Sequence, residues 1–438
     1  MTSKAKHVYI IGAGASGLMA ACRAAQLGAR VTVYEAQSAE GKKLAAAGNG
    51  KCNYTNTQMS PSAYHIKDSN DTPDKMQLYR CFERFGNEDA IAFFRSIGIE
   101  PFVKNGYVYP RSEQGSSVVH ALARRCEKLG VRIIKDHRVE SIRELGLPGL
   151  CSHGSLNKNQ LSDAQDTSVI LACGSKAVNK SCNSYRLLEE LGVSYSWIAP
   201  ALCPIYCKND DEFFKVVTGV RCRARVGGET GELQFNDYGL SGIVIFNISH
   251  EISGQISQSR VHSTDPTTCK NAAHTQNGSA IVRVDFVPEY ADEAEVEAYL
   301  AGRARVLEMG DGATLNMDRL KILGDGFINS KLWEGLVDRT ARKAQKSGTK
   351  LTLRMIAHEL KNCEFTAYKT AGFDKCQVCS GGIGVDELDP ETMQLRKHPG
   401  IYAAGEILDM DGICGGYNLQ WAWTSGYIAG TYAAGYSL

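Results

Sequence analysis

Apolar positions first gather in a short run, His7–Ile11, that reads as a strand. Gly12, Gly14 and Gly17 follow in GAGASG, and an Ala- and Leu-rich stretch then predicts a helix that stops at Gly28. A second strand-like run, Arg30–Tyr34, leads into Glu35. Helices are expected over 74–98 and 115–130. In the second, Val119, Leu122, Ala123, Cys126 and Leu129 recur at helical spacing and Gly130 ends it. Val131–Ile134 and Ser168–Cys173 read as further strands, with the polar stretch 151–167 as a loop between them. From about 195 to 288 the pattern shifts to short β-prone runs, RCRARVGG, GELQFNDYG, GIVIFNIS and AIVRVDFVP. From about 289 to 362 it turns helical. There Glu289, Asp292, Glu293 and Glu295 precede Arg303 and Arg305, the order a helix dipole favours. Near the end a strand, Ile401–Ala404, turns at Gly405 and Glu406, passes Gly412, Gly415 and Gly416, and enters a helix from about Asn418.

Composition narrows the class. The chain has 438 residues, enough for roughly three domains at ~150 each. Lys and Arg number 49 against 48 Asp and Glu, so no bulk charge draws it to nucleic acid or to an anionic membrane. The N-terminal segment leaves no room for a signal peptide, no apolar run is long enough to span a membrane, and the 15 scattered cysteines suit reduced thiols. These features predict a cytoplasmic protein. The run Arg339–Arg354 carries six basic residues without an acid. It is read as a solvated helix face rather than an RNA-binding surface.

The strand, glycine turn, helix, second strand and acidic residue at the start form a dinucleotide-binding fingerprint in its full context. The first Gly permits the turn, the second lets the backbone approach a pyrophosphate, and the third lets helix and strand pack closely. Glu35 would accept hydrogen bonds from the adenosine ribose and repel a 2′-phosphate, which favours FAD or NAD over NADP. Gly41–Asn56, dense in Gly, Asn and Lys, reads as a loop over the ligand. The C-terminal glycine turn would place backbone amides and a helix N-terminus beside a group that becomes negative, as the edge of a reduced flavin does. Two such ends fit one extended dinucleotide, FAD. The chain has one fingerprint of this kind, so NADH or NADPH is expected to dock transiently as electron donor.

GAGASG, GKKLAAAGNGKCNYTN, GYVYPRSEQGSSVVHAL, GELQFNDYGLSG, GGIGVDELDPETM and GEILDMDGICGGYNLQWAWTSGYIAG together resemble the BaiN-like flavoproteins. That group is also called the aminoacetone oxidase family, within the glutathione-reductase-like FAD proteins. The resemblance implies an α/β fold, a Rossmann-like FAD-binding domain with an inserted β-barrel-like domain and a helical subdomain. With the pattern changes it assigns 1–193 and 364–438 to FAD, 194–288 to the β-rich insertion and 289–363 to the helices. It implies FAD contacts at Gly12, Gly14, Ser16, Gly17, Glu35, Lys43, Asn49, Gly50, Cys52, Asn53, Val139, Glu406 and Asn418. Ala15, Ala36, Gly174, Gly405, Gly415, Gly416, Tyr417 and Leu419 complete the expected cofactor set.

The resemblance further implies NADH-driven reduction of 3-oxo-4,6-diene bile-acid intermediates during 7-dehydroxylation, or alternatively oxidation of small amines such as aminoacetone by O2. Either way the expected partner is a small molecule. Tyr109, Tyr238 and Tyr417 lie in the shared blocks and are candidate proton donors. The CxxC at Cys376 and Cys379 is not expected to form a disulfide or a metal pair, and no metal site is expected from the histidine spacing.

Overall fold

A computed structural model describes residues 5–66, 73–145, 166–179, 182–209, 212–258, 278–307 and 317–438. Most of the loop expected over 151–167 lies outside them. The chain forms two compact units, Met1–Ala199 with Val378–Leu438, and Pro200–Gln377.

The first unit begins with β1 (His7–Ile11), α1 (Ala15–Gln26), β2 (Arg30–Tyr34) and the short helix α2 (Lys42–Ala46). β3 (Thr55–Asn56), β4 (Tyr64–His65), α3 (Pro73–Arg84), α4 (Asn87–Ser96), β5 (Pro101–Lys104) and β6 (Tyr107–Pro110) follow. Then come α5 (Gly115–Lys128), β7 (Arg132–Ile134), β8 (Thr167–Leu171) and α6 (Ser184–Leu191), and β9 (Ala199–Ala201) begins at the last residue of this segment. The single helix expected over 74–98 is two, because Gly86 interrupts it. The Gly86 N–H donates to Asp89 Oδ2 at 2.8 Å, which caps α4 and starts it afresh.

In the second unit the chain forms β10 (Ile205–Cys207), α7 (Phe213–Val217), β11 (Arg221–Val226), β12 (Glu229–Asn236), β13 (Gly239–Ser241), α8 (Ile243–Gln258) and β14 (Ala280–Asp285). Helices α9 (Glu293–Val306), α10 (Met317–Gly324), α11 (Ser330–Lys346) and α12 (Leu353–Lys361) precede β15 (Cys363–Thr370). A closed barrel runs β10-β13-β12-β11-β14-β15. The stretch GIVIFNIS, read as a strand, instead opens α8. Buried Val244, Ile248, Ile252 and Ile256 recur every fourth residue and turn one helical face into the barrel core.

That core is shared. Leu300, Trp333 and Leu360 of the helices pack in one cluster with Phe235, Val282 and Phe365 of the barrel. Residues 289–363 therefore sit in the same compact unit as the β-rich stretch, and the unit extends past 363 because β15 closes the barrel. Part of the basic run serves this core. The Arg339 guanidinium stands 5.0 Å over the Phe365 ring, and the Lys343 ammonium lies 2.5 Å from the carboxylate of buried Glu359.

The chain returns to the first unit through β16 (Val378–Ser380), β17 (Leu388–Asp389), β18 (Gln394–Leu395), β19 (Ile401–Ala403), β20 (Asp411–Gly412) and α13 (Tyr417–Ala433). Its main sheet has the order β17-β18-β19-β8-β1-β2-β7. From β19 to β7 all neighbours are parallel, with Ile10 paired to Val33 on one side and Ile170 on the other. Buried Val8, Ile10 and Val33 supply the apolar surface on which a helix must rest.

α1 is held on its outer side by α13, and the contact is backbone to backbone. A Cβ at Gly426 would stand 2.5 Å from the Ser16 carbonyl oxygen, and one at Gly430 would stand 2.6 Å from that of Ala20. No larger residue fits at either place. Among the described residues, no helix is long and apolar enough to cross a membrane.

Candidate functional site

The turn from β1 into α1 is shaped by its glycines. Gly12 has φ +105°, and a Cβ there would lie 2.4 Å from the Ala172 carbonyl oxygen. At Gly17 it would lie 1.9 Å from the Gly12 oxygen. Gly14, the residue preceding α1, faces open space with no atom within 4 Å of an added Cβ. The turn is thus closed against the protein and open at the helix N-terminus, where the amides of Ala15 and Ser16 begin α1. That cradle fits a pyrophosphate.

Glu35 follows β2, and both its oxygens are held by main chain. Oε2 accepts the Ala13 N–H at 2.8 Å and Oε1 accepts the Gln37 N–H at 2.8 Å. A carboxylate keeps further lone pairs for two ribose hydroxyls, now in a fixed orientation. Ala36 is exposed directly after it. Val139 and Gly174, distant in sequence, are tied to adjacent residues at the start of α6. Asn183 Nδ2 donates to the Val139 carbonyl at 2.7 Å, and Ser184 Oγ donates to that of Gly174 at 2.8 Å. Sequence reasoning did not single out Asn183 and Ser184, whose polar type before a helix was the available signal.

On α2, Lys43 Nζ lies 2.5 Å from Glu406 Oε2, while Glu406 Oε1 accepts the Cys379 N–H at 3.0 Å. Two residues expected at the cofactor are therefore an ion pair. After α2 the chain enters a loop in which Gly48, Asn49, Gly50 and Cys52 all have positive φ. This tight coil ends at Asn53, whose Oδ1 accepts the Val108 N–H at 3.2 Å. Cys52 is buried, and burial pushes its thiol up to about 12. It is expected to resist iodoacetamide at mildly alkaline pH in the folded protein and to be alkylated in denaturant, as peptide mass mapping would show.

The C-terminal turn is clamped from several sides. The Gly405 N–H donates to Ser425 Oγ at 2.9 Å. Asn418 holds both polar groups of Gly412, accepting its N–H at 2.8 Å and donating to its carbonyl at 2.6 Å. Asn56 Nδ2 donates to the Gly415 carbonyl at 2.9 Å. Gly415 and Gly416 have φ +125° and +93°, and α13 starts at the next residue, so the helix N-terminus is presented by a fixed loop. Leu419, in the first turn of α13, is half-buried. Trp423 of the same helix is core: its indole N–H donates to the Tyr54 carbonyl at 2.8 Å.

The three candidate tyrosines stand differently. The Tyr417 hydroxyl donates to the Gln58 carbonyl at 2.9 Å, and its own carbonyl accepts the Tyr64 hydroxyl. Tyr109, on β6, has its pKa raised by burial, with Lys51 opposing the shift. Tyr238 belongs to the second unit, where burial raises its pKa and Lys375 opposes. Cys376 and Cys379 are both buried thiols. The described residues hold no group of three or more His, Cys, Asp or Glu side chains placed to bind a metal ion.

The chain is similar to known proteins over nearly its whole length. The chain is 33% identical, over 98% of its length and 99% of the relative's, to a 3-dehydro-bile acid delta(4,6)-reductase of Clostridium scindens. It is 24% identical to the ribosomal RNA dihydrouridine synthase of Haemophilus influenzae, over 95% of this chain and 96% of that one. To the Escherichia coli ribosomal RNA dihydrouridine synthase it is 26% identical, over 95% of each chain. Residues 6–432 match the profile of the HI0933-like protein Rossmann domain. The chain is an oxidoreductase and belongs to the HI0933-like family of FAD-binding Rossmann-domain proteins.

Proposed function

We propose that this protein uses FAD and a transiently docked NADH or NADPH to reduce carbon–carbon double bonds conjugated to a carbonyl, with 3-oxo-4,6-diene bile-acid intermediates as substrate. The observation that carries this reading is the 33% identity to the Clostridium scindens reductase over nearly the full length of both chains. Bound FAD, once reduced by the nicotinamide, would supply the hydride that an electron-poor alkene carbon accepts. The amides after Gly14 would bind its pyrophosphate, with Gly12 and Gly17 setting the turn. Glu35 would orient the adenosine ribose, with Ala36, Val139 and Gly174 lining that end.

Lys43, Glu406, Gly405 and the loop Asn49, Gly50, Cys52 and Asn53 would hold the middle of the cofactor. Gly415, Gly416, Tyr417, Asn418 and Leu419 would meet the end that gains negative charge. Tyr417 serves there through its backbone, since its hydroxyl proton is committed to Gln58. The many buried free thiols suit a reducing, cytoplasmic setting.

A second reading has its own observation. The two dihydrouridine synthases imply uracil in RNA as acceptor, and the C5=C6 bond of uracil is likewise conjugated to a carbonyl. The small-molecule reading is preferred on identity, and because Arg339 and Lys343 of the basic run are engaged with Phe365 and Glu359. Amine oxidation would need the opposite flow of electrons.

One anaerobic experiment separates all three. NADH should bleach the visible flavin band, and a 3-oxo-4,6-diene steroid acid should restore it. Recovery only with a uridine-containing ribosomal RNA fragment would replace the substrate class. Bleaching by aminoacetone with recovery in air would make the protein an oxidase.

A further inference from the structure

β4 and β20 form a two-stranded antiparallel ladder that pairs Tyr64 with Gly412 and His65 with Asp411. Asp411 is 2% exposed, and its Oδ2 lies 3.7 Å from His65 Nδ1. Its other oxygen, Oδ1, is buried without a hydrogen-bond partner among the described residues. A carboxylate so placed is costly unless a cation faces it. His65 is the residue in register to be that cation, and its side chain is about one-third exposed, 32%.

The pair adjoins the cofactor turn directly: Gly412, next to Asp411, is the residue whose N–H and carbonyl Asn418 clamps at the start of α13. Buried Cys379 lies on β16, which packs against β20, Asp409 Oδ2 accepts the Ser196 hydroxyl at 2.7 Å, and two tyrosines packed there keep their protons. Burial raises the Tyr64 hydroxyl well above its ordinary value and its proton goes to the Tyr417 carbonyl, while the Tyr417 proton goes to Gln58.

We propose that His65, charged and aimed by Asp411, is the acid that protonates the substrate in the conjugate reduction. This rests on the reading of the site as a reductase. In that reaction the alkene π bond breaks, the carbon remote from the carbonyl accepts a hydride from the reduced cofactor, and the carbon next to the carbonyl accepts a proton. The imidazolium N–H bond breaks to supply that proton, leaving neutral imidazole to be recharged by solvent. Imidazolium is suited to this near neutral pH, where a tyrosine of raised pKa is a weaker acid. Asp411 is a positioning residue: its buried carboxylate faces the His65 ring, with Oδ2 at 3.7 Å from Nδ1.

Two measurements test the assignment on the flavin-loaded protein. In anaerobic half-reactions His65→Gln should keep NADH-driven bleaching within about twofold of wild type. It should slow reoxidation by the 3-oxo-4,6-diene steroid by roughly 10²- to 10⁴-fold, the usual worth of a general acid. Reoxidation of His65→Gln at the wild-type rate overturns the proposal.

The second readout needs no turnover. With ¹⁵N-labelled histidine, the resonance lost in His65→Gln should titrate above the ordinary ~6.5 in wild type and fall by about one unit or more in Asp411→Asn. A midpoint at or below the ordinary value, or one that Asp411→Asn leaves in place, also overturns it. If the steroid fails to reoxidise the wild-type flavin, the substrate reading falls, and the histidine titration decides the dyad by itself. A His65→Gln protein that does not fold would lose the flavin band altogether, and Asp411→Asn then carries the test.

Discussion

Gly17→Val should yield a colourless protein. The first atom of any side chain there would stand 1.9 Å from the Gly12 carbonyl oxygen, and that oxygen is main chain in a turn that cannot recede. Gly12 itself has Ala172 behind it, with the carbonyl oxygen 2.4 Å from where its own Cβ would be. α1 would have to move outward, and there it meets α13 with no side chains between the two backbones at Gly426 and Gly430. The expected cost exceeds about 4 kcal/mol, in the range reserved for severe core disruption. Flavin absorbance per protein after gel filtration should fall to background, and the melting temperature should drop with or without added FAD.

Gly14→Ala is the informative contrast, because an added methyl meets no protein atom within 4 Å. That variant should fold and melt like wild type without ligand yet bind FAD more weakly, since the methyl occupies space the cofactor needs. A Gly14→Ala protein with unchanged FAD affinity would remove the pyrophosphate from this turn.

The second large effect is expected at the far end of the chain. Gly426→Leu would place Cβ 2.5 Å from the Ser16 carbonyl oxygen and force α13 off α1. Calorimetry of the flavin-loaded protein should show a melting temperature lower on the order of 10 °C, several kcal/mol for a unit of this size. Gly302, in α9, faces open space, and Gly302→Ala should change stability in the opposite sense, by about 0.5–1 kcal/mol. Equal and small effects at the two glycines would mean that the close approach of α1 and α13 contributes little to stability.

The nucleotide-binding end was the most legible part of the sequence, for a local reason. β1 and β2 occupy the segments expected of them, His7–Ile11 and Arg30–Tyr34, because strand, glycine turn, helix and acidic residue are neighbours in sequence as well as in space. GIVIFNIS was misread because a window of eight β-branched and apolar residues does not distinguish a buried strand from a buried helix. The helical signal lay just beyond it, in Ile252 and Ile256 continuing the fourfold spacing. The barrel was legible as β-rich texture but not as a closed object, since its last strand, β15, comes after four helices.

At the site, the Lys43–Glu406 pair and the His65–Asp411 pair each join residues more than 300 positions apart, and no spacing rule reaches that far. Asn183 and Ser184 were passed over for a different reason. Their role is to tie down the carbonyls of Val139 and Gly174, and nothing in a sequence tells such a polar residue from any other before a helix.

The seam between α1 and α13, with β19 beside β8, has a consequence for how the protein is made. The fingerprint is translated well before β19 and α13, which close over it. Pro200–Gln377 is one continuous segment and can complete its barrel while synthesis continues. Throughout that time β8 lacks its neighbour β19, and α1 lacks α13. The nascent N-terminal half therefore waits with an open sheet edge and an uncovered helix, the kind of intermediate on which chaperones act. Truncation near the C-terminus would leave the nucleotide turn correctly coded but never closed.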